Sequence, residues 1–374
     1  MIAEPLTTTT DVLKAPFPYF GGKSRIASLV WSRFGKVQNY VEPFFGSGAV
    51  LLANPYWPHG WTETVNDADG LLSNFWRALQ HAPDEVAYWA DWPVNENDLH
   101  ARHYWLVQRR ESLQERLEGD PDFYDAKAAG WWVWGLCIWI GGGWCAGDGP
   151  WRVVDGRLVK TGDAETGVWR KRPHLGDAGV GINRKRPHLS DAETGVWRQR
   201  PHLSSAGQGI NRKLPRATCT ERTEWLLDYF QRLADRLRRV RVCCGDWSRV
   251  CGNVPTIIHG LTAVFLDPPY SAEAERDNDI YTVEDDKVAH DVREWCLANG
   301  DNPLFRIALC GYEGEHNMPE SWECVAWKAQ GGYGNHGNGN GKANRHRERV
   351  WFSPHCLKPG QATLFDGVDD DEVE

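Results

Sequence analysis

The sequence predicts an α/β protein, a mostly parallel sheet interrupted by an inserted, largely helical region. Three observations carry that prediction. Short apolar runs of strand length alternate with helical patterns near both ends of the chain. Several of those runs end in an acid: Glu42, Asp67, Asp246 and Asp267. Between the two alternating blocks, from about Pro83 to Leu214, the chain becomes charged and helical, then tryptophan-rich, then repetitive.

In the first block, Gly21-Gly22-Lys23-Ser24 leads into a helical pattern through Ile26, Leu29, Val30 and Phe34. Tyr40-Val41-Glu42 reads as a strand. It is followed by the glycine turn Phe45-Gly46-Ser47-Gly48 and a helix beginning at Ala49. Thr62 to Val65 is a second strand ending in Asn66-Asp67, and Leu71, Leu72, Phe75 and Leu79 mark the helix after it. In the middle block, Leu99 to Leu117 is a charged helix and Trp131 to Ile140 a buried one. The second block opens with a helix over Glu221 to Arg239. Strands follow at Val240 to Cys243, Ala263 to Leu266, Phe305 to Leu309 and Arg349 to Phe352. The expected boundaries are 1–82 and 219–358 for the α/β part, 83–218 for the insertion, and 359–374 for a disordered acidic tail.

The chain has 374 residues, room for one large or two ordinary domains, and its 41% apolar content supports a real core. No apolar run approaches a membrane span, and Met1 to Asp11 lacks a signal-peptide pattern, which predicts a soluble, cytoplasmic protein. The ten cysteines form no CxxC pair and read as reduced core thiols, with no metal site expected. A net charge of −9 argues against a nucleic-acid partner only weakly, because the charge is uneven. The tail from Asp366 to Glu374 is acidic, whereas Arg170 to Arg216 is densely basic.

That basic stretch lies within a repeat. Gly167-Val168-Trp169-Arg170-Lys171-Arg172-Pro173-His174-Leu175 recurs at Gly181, Gly195 and Gly209, a period of 14 residues within residues 163–216. One reading is a duplicated surface loop. The other is a DNA-contacting arm in which Arg170, Arg172, Arg184, Arg198 and Arg212 meet phosphates beside Trp and His. Tryptophan is abundant at 21, and its cluster over Trp131 to Trp151 divides likewise between core and base-stacking surface. The Gly/Asn-rich stretch before Arg345 and Arg347 is either a phosphate-contacting loop or a long hairpin connection.

The four acids carry the chemistry. Ligands of open parallel sheets sit outside the carboxyl ends of the strands. Phe45-Gly46-Ser47-Gly48 allows the close backbone approach a nucleoside cofactor needs, and Asp67 is placed to accept from ribose hydroxyls. Asp267-Pro268-Pro269-Tyr270 sets a carboxylate, a ring and a rigid backbone at one strand end. Its two prolines remove N–H donors and leave carbonyls free to accept. Such a turn suits an amino group on a flat base.

Phe20-Gly21-Gly22-Lys23, Val41 to Gly48, Asn66-Asp67 and Asp267 to Tyr270, in that order, resemble the Dam-type (D12 class, alpha group) DNA adenine-N6 methyltransferases. The resemblance covers roughly 16–80 and 219–356. It implies a Rossmann-like methyltransferase sheet, an inserted target-recognition domain, and S-adenosylmethionine as cofactor. It also implies double-stranded DNA as substrate. By position, Tyr19, Lys23, Asp67 and Asp267 match the family's cofactor-binding residues, although the family often has Trp where Tyr19 stands. Glu42, Phe45, Gly46 and Gly48 match the surroundings of the methionine moiety, and Asp246-Trp247 the holder of the cofactor's adenine. In the implied reaction a flipped adenine presents its N6 amine to Asp267 and the Pro268 carbonyl while Tyr270 stacks on the base. The middle region departs from the family's usual recognition hairpin, so the resemblance implies no recognition sequence. An RNA adenine methyltransferase and a non-catalytic DNA-binding protein are the competing readings. Gln361 to Phe365 resembles the peptide by which bacterial proteins dock the DNA-polymerase sliding clamp, and the repeats and acidic tail are in keeping with a phage-encoded protein.

Overall fold

A computed structural model describes residues 13–19, 22–139, 144–145, 151–154, 157–160, 219–252, 258–269, 287–327 and 346–359. Phe20, Gly21, the repeats with Arg170, Arg172, Arg184, Arg198 and Arg212, Tyr270, Arg345 and Gln361 to Phe365 lie outside the described residues.

Seven strands form one sheet in the order β5-β2-β1-β6-β7-β9-β8. They are β1 (Asn39–Glu42), β2 (Thr62–Asp67), β5 (Val240–Cys244), β6 (Thr262–Leu266), β7 (Phe305–Tyr312), β8 (Glu323–Ala326) and β9 (Glu348–Phe352). The first five in spatial order pair in parallel, β5 with β2, β2 with β1, β1 with β6, and β6 with β7. Only β9 and β8 are joined to the rest by antiparallel pairing. A short antiparallel hairpin, β3 (Trp151–Val154) with β4 (Arg157–Lys160), stands apart in the middle region. The expectation of a mostly parallel α/β sheet is therefore met.

Strand alternation divides the interior into two cores. Tyr40, Ala263, Phe265, Ala308, Cys310, Val350 and Phe352 point into one. Val41, Val264, Leu266, Ile307, Leu309 and Trp351 point into the other. The first core holds side chains of α1 (Ala27–Phe34), α2 (Ala49–Leu52), α3 (Gly70–His81), α4 (Pro83–Ala90), α5 (Glu96–Gly119), α6 (Ala126–Ile138) and α7 (Cys219–Leu237). The second is closed by α8 (Val288–Asn299) through Val292 and Cys296.

Local chemistry sets the helix starts. Asp69 caps α3 by accepting from Leu71 N at 2.9 Å, Asn95 caps α5 through Asp98 N at 2.8 Å, and Asp125 caps α6 through Ala128 N at 2.8 Å. The run at Trp131 is a helix as expected, ending at Ile138, with Trp132, Val133 and Trp134 buried. Phe17 links it to the sheet side, its ring edge-on to Phe75 of α3 at 5.5 Å and to Trp132 of α6 at 5.1 Å. Among the described residues no helix is long and apolar enough to cross a membrane.

Candidate active site

After β1 the chain moves outward to β2 and later to β5, then returns to add β6 on the other side of β1. That reversal is a topological switch point, and a crevice opens outside the carboxyl ends of the two strands there. A cavity of about 190 Å³ occupies it. Glu42 closes β1, Asp67 closes β2, Asp246 follows β5 and Asp267 follows β6, and all four line this cavity. Tyr19, Lys23, Phe45, Gly46, Trp247 and Pro269 line it as well. Gly48 and the buried Pro268 sit one residue behind lining positions.

The glycine turn is built by backbone constraint. Gly46 has φ +48° and Gly48 φ +67°, conformations that favour residues lacking Cβ. A Cβ on Gly46 would come 2.6 Å from Tyr19 Cε1, so the Tyr19 ring lies directly on the turn. Phe45 N donates to Asn66 O at 2.9 Å and Trp76 Nε1 to Gly46 O at 3.0 Å, which ties the turn to β2 and α3.

Asp67 fastens the turn from the other side. Its Oδ2 accepts from Gly46 N and its Oδ1 from Asp69 N, each at 3.0 Å. Burial nevertheless pushes its carboxyl up to about 6, because the amides of Asp69, Gly46 and Ala68 do not replace water around a charge. Burial likewise pushes the Glu42 carboxyl well above the carboxylate range. The Tyr40 hydroxyl donating to Oε2 at 2.8 Å opposes that shift, and the nearby Asp267 adds to it. Lys23, only 3% exposed, sets its Nζ 2.8 Å from Asp267 Oδ1 and 5.6 Å from the centre of the Trp327 ring.

Three features of the cavity have no precursor in the sequence reading. Phe44 stacks on Trp247, with ring centres 6.2 Å apart and planes at 29°. Asn66 Nδ2 donates to Pro43 O and Gly245 O at 3.1 and 2.9 Å, which fixes the amide orientation and leaves the buried Oδ1 without a partner among the described residues. Trp327 covers Lys23 from β8's end, reached only through antiparallel pairing late in the chain. The aromatic residues just after two of the strand-end acids, Phe44 after Glu42 and Trp247 after Asp246, were the available signal for the first. Arg347, the one expected DNA-contacting residue among those described, lies away from the cavity lining, with its guanidinium 5.5 Å over the Tyr312 ring.

Residues 19–119 match the family model of the D12 class N6 adenine-specific DNA methyltransferases. This chain carries a D12-class methyltransferase domain. No curated protein matches it. The match over this segment indicates an adenine-specific DNA methyltransferase, an activity that implies a methyl donor and a DNA substrate. The matched D12 segment contains Tyr19, Lys23, Glu42, the glycine turn and Asp67. Asp246, Trp247 and Asp267 come from beyond it in sequence and meet it at the same crevice.

Proposed function

We propose that this D12-class enzyme transfers a methyl group from S-adenosylmethionine to N6 of an adenine flipped out of double-stranded DNA. The observation that carries the reading is the Lys23–Asp267 ion pair at the switch-point edge, inside one cavity with the glycine turn and Asp67. The cavity's own chemistry fits the cofactor. It offers the Phe44–Trp247 ring pair to a flat base, the unpartnered Asn66 Oδ1 to an N–H or O–H donor, and the Glu42 and Asp67 carboxyls to cationic or hydroxyl groups. The left-handed turn at Gly46 lets the Tyr19 ring lie against its backbone at the cavity wall.

When bound, S-adenosylmethionine supplies an electrophilic methyl group carried on a cationic sulfur. The protein's work is positioning. An exocyclic adenine amine is a poor nucleophile because its lone pair is conjugated into the ring. The Asp267 carboxylate and the Pro268 carbonyl accept its two N–H hydrogens and turn that lone pair toward the cofactor side. Lys23 holds Oδ1 of Asp267 at 2.8 Å, which fixes the carboxylate at the strand edge where the amine is to be met. Base extraction from the duplex costs a few kcal/mol of unstacking, roughly 2–4 kcal/mol, met by contacts in the extruded state. Asp246 and Trp247 hold the cofactor's adenine, and Tyr19, Lys23, Phe45, Gly46 and Gly48 surround the remainder. The middle region supplies DNA recognition, and the enzyme acts in the cytoplasm where DNA is accessible.

Transfer of tritiated methyl groups from S-adenosylmethionine to DNA and to RNA tests this. The expected result is labelled N6-methyladenine in DNA, with the rate reduced about a hundredfold or more by Asp267→Ala. Label appearing only in RNA, or an Asp267→Ala protein as active as the parent, would overturn it.

A further inference from the structure

Glu42 lines the cavity from the end of β1, yet it does not stand alone on that strand. We propose that Tyr40 is a positioning residue for the methyl-donor site, its hydroxyl fixing the Glu42 carboxyl in the form and orientation that meets a cationic ligand. The inference deepens the cofactor reading above and rests on it.

Tyr40 and Glu42 are two residues apart on β1, so their side chains share one face of the sheet. The Tyr40 hydroxyl donates to Glu42 Oε2 at 2.8 Å, in a site closed to water on the Tyr40 side, where exposure is 0%. The ring cannot swing away. It stacks on Trp31 of α1 with centres 5.1 Å apart and planes at 29°, and Phe34 meets it edge-on at 6.4 Å. Trp31 is itself anchored, its Nε1 donating to Val50 O of α2 at 2.8 Å. The next N–H of that helix, Leu51, donates to the Glu42 carboxyl. Two scaffold donors, each held by packing, therefore converge on one carboxyl at the cavity wall. A phenylalanine would fill the same core space, so packing alone does not account for the hydroxyl.

The charges around the pair give the hydroxyl a task. Burial disfavours ionised Glu42. Asp267 after β6 and Glu63 on β2 disfavour it further by repulsion. Lys23 is engaged by Asp267, and Arg236 of α7 by Glu63. Arg236 reaches Tyr40 only as a secondary influence on its hydroxyl, opposing the larger effect of burial. The Tyr40 hydrogen bond is the leading influence that favours the ionised carboxyl. Deleting the hydroxyl leaves Glu42 protonated over a wider pH range and less able to face a cation.

The test is calorimetric binding of S-adenosylmethionine to the full chain carrying Tyr40→Phe, Glu42→Gln, both changes, or Glu42→Asp, with melting curves alongside. Tyr40→Phe should weaken binding about tenfold near neutral pH, the penalty shrinking as pH rises. In the Glu42→Gln background it should cost little more, since coupled residues are not additive. Glu42→Asp, which draws the carboxyl back from an untouched Tyr40, should lose about as much. Binding by Tyr40→Phe equal to the parent would overturn the proposal, as would the same fold loss in both backgrounds. A parent chain that binds no S-adenosylmethionine would overturn the cofactor reading itself, and this inference with it.

Discussion

The two ends of β2 each carry a carboxyl group largely removed from water, and the fold treats them in opposite ways. At the amino end, Glu63 is gripped by Arg236 of α7, Oε2 to Nη1 at 2.7 Å and Oε1 to Nη2 at 2.8 Å. His59 joins at 3.1 Å and Asn54 at 3.3 Å. Although burial raises the Glu63 carboxyl, these donors together with the Arg236 charge leave it below its ordinary value. At the carboxyl end, Asp67 is met by the backbone amides of Asp69, Gly46 and Ala68, and among the described residues no Lys or Arg pairs with it. Its carboxyl stays high, at about 6. A charge satisfied inside the protein contributes to the fold, whereas a charge left short of partners at a cavity is available to a ligand. Three residues of one strand separate the carboxyl engaged by the fold from the one that lines the cavity.

The largest effect should come from breaking the satisfied end. Arg236→Met removes the cation and strands a buried Glu63, and should lower the unfolding free energy by roughly 3–5 kcal/mol in denaturant titrations. Pairing it with Glu63→Leu should recover much of that loss. If the single change costs under about 1 kcal/mol, the amino end is not the structural anchor described.

Next in size is the functional end. Asp67→Asn should weaken S-adenosylmethionine binding by about 1.5–3 kcal/mol while changing the unfolding free energy near neutral pH by less than about 1 kcal/mol. Equal losses in both quantities would erase the contrast between the two ends.

The smallest effect is in the pH dependence, and its sign separates the two carboxyls. Asp67 is raised in the folded state from an ordinary 3.8 to about 6, so its contribution to stability is intact below 3.8 and is lost as pH rises through about 6. Glu63 is lowered from 4.5, so its contribution is present above 4.5 and is lost as pH falls through the folded value. Asp67→Asn should therefore flatten the decline in denaturation midpoint on the way from acid to neutral pH. An unchanged profile would mean that Asp67 titrates normally in the fold.

The contrast also marks what could be read from sequence. β6 and β7 were legible because buried strands of a parallel sheet are near-continuous apolar runs, and β1 and β2 as short Val- and Thr-containing stretches that lead into helical patterns. The crevice was legible because its acids sit at the ends of those runs, Glu42 and Asp67 being the last residues of their strands and Asp246 and Asp267 following theirs. The partners of those acids were not legible. Arg236 lies among Arg232, Arg238 and Arg239 near the end of α7, and nothing local distinguishes the one that turns inward to Glu63. The Phe44–Trp247 stack and the orphaned Asn66 Oδ1 exist only once β1, β2 and β5 lie side by side. α4 went unread because it follows α3 with only Ala82 between them, and β8 because its residues are mostly exposed and lack alternation.

One measurement bears on the central claim, that the carboxyl-end crevice is held open for the methyl donor. It is the rise in melting temperature on adding saturating S-adenosylmethionine to the parent chain and to Asp67→Asn. The account predicts a clear rise for the parent and a much smaller one for Asp67→Asn, from similar starting temperatures. Equal rises for the two proteins, or none for the parent, would contradict it.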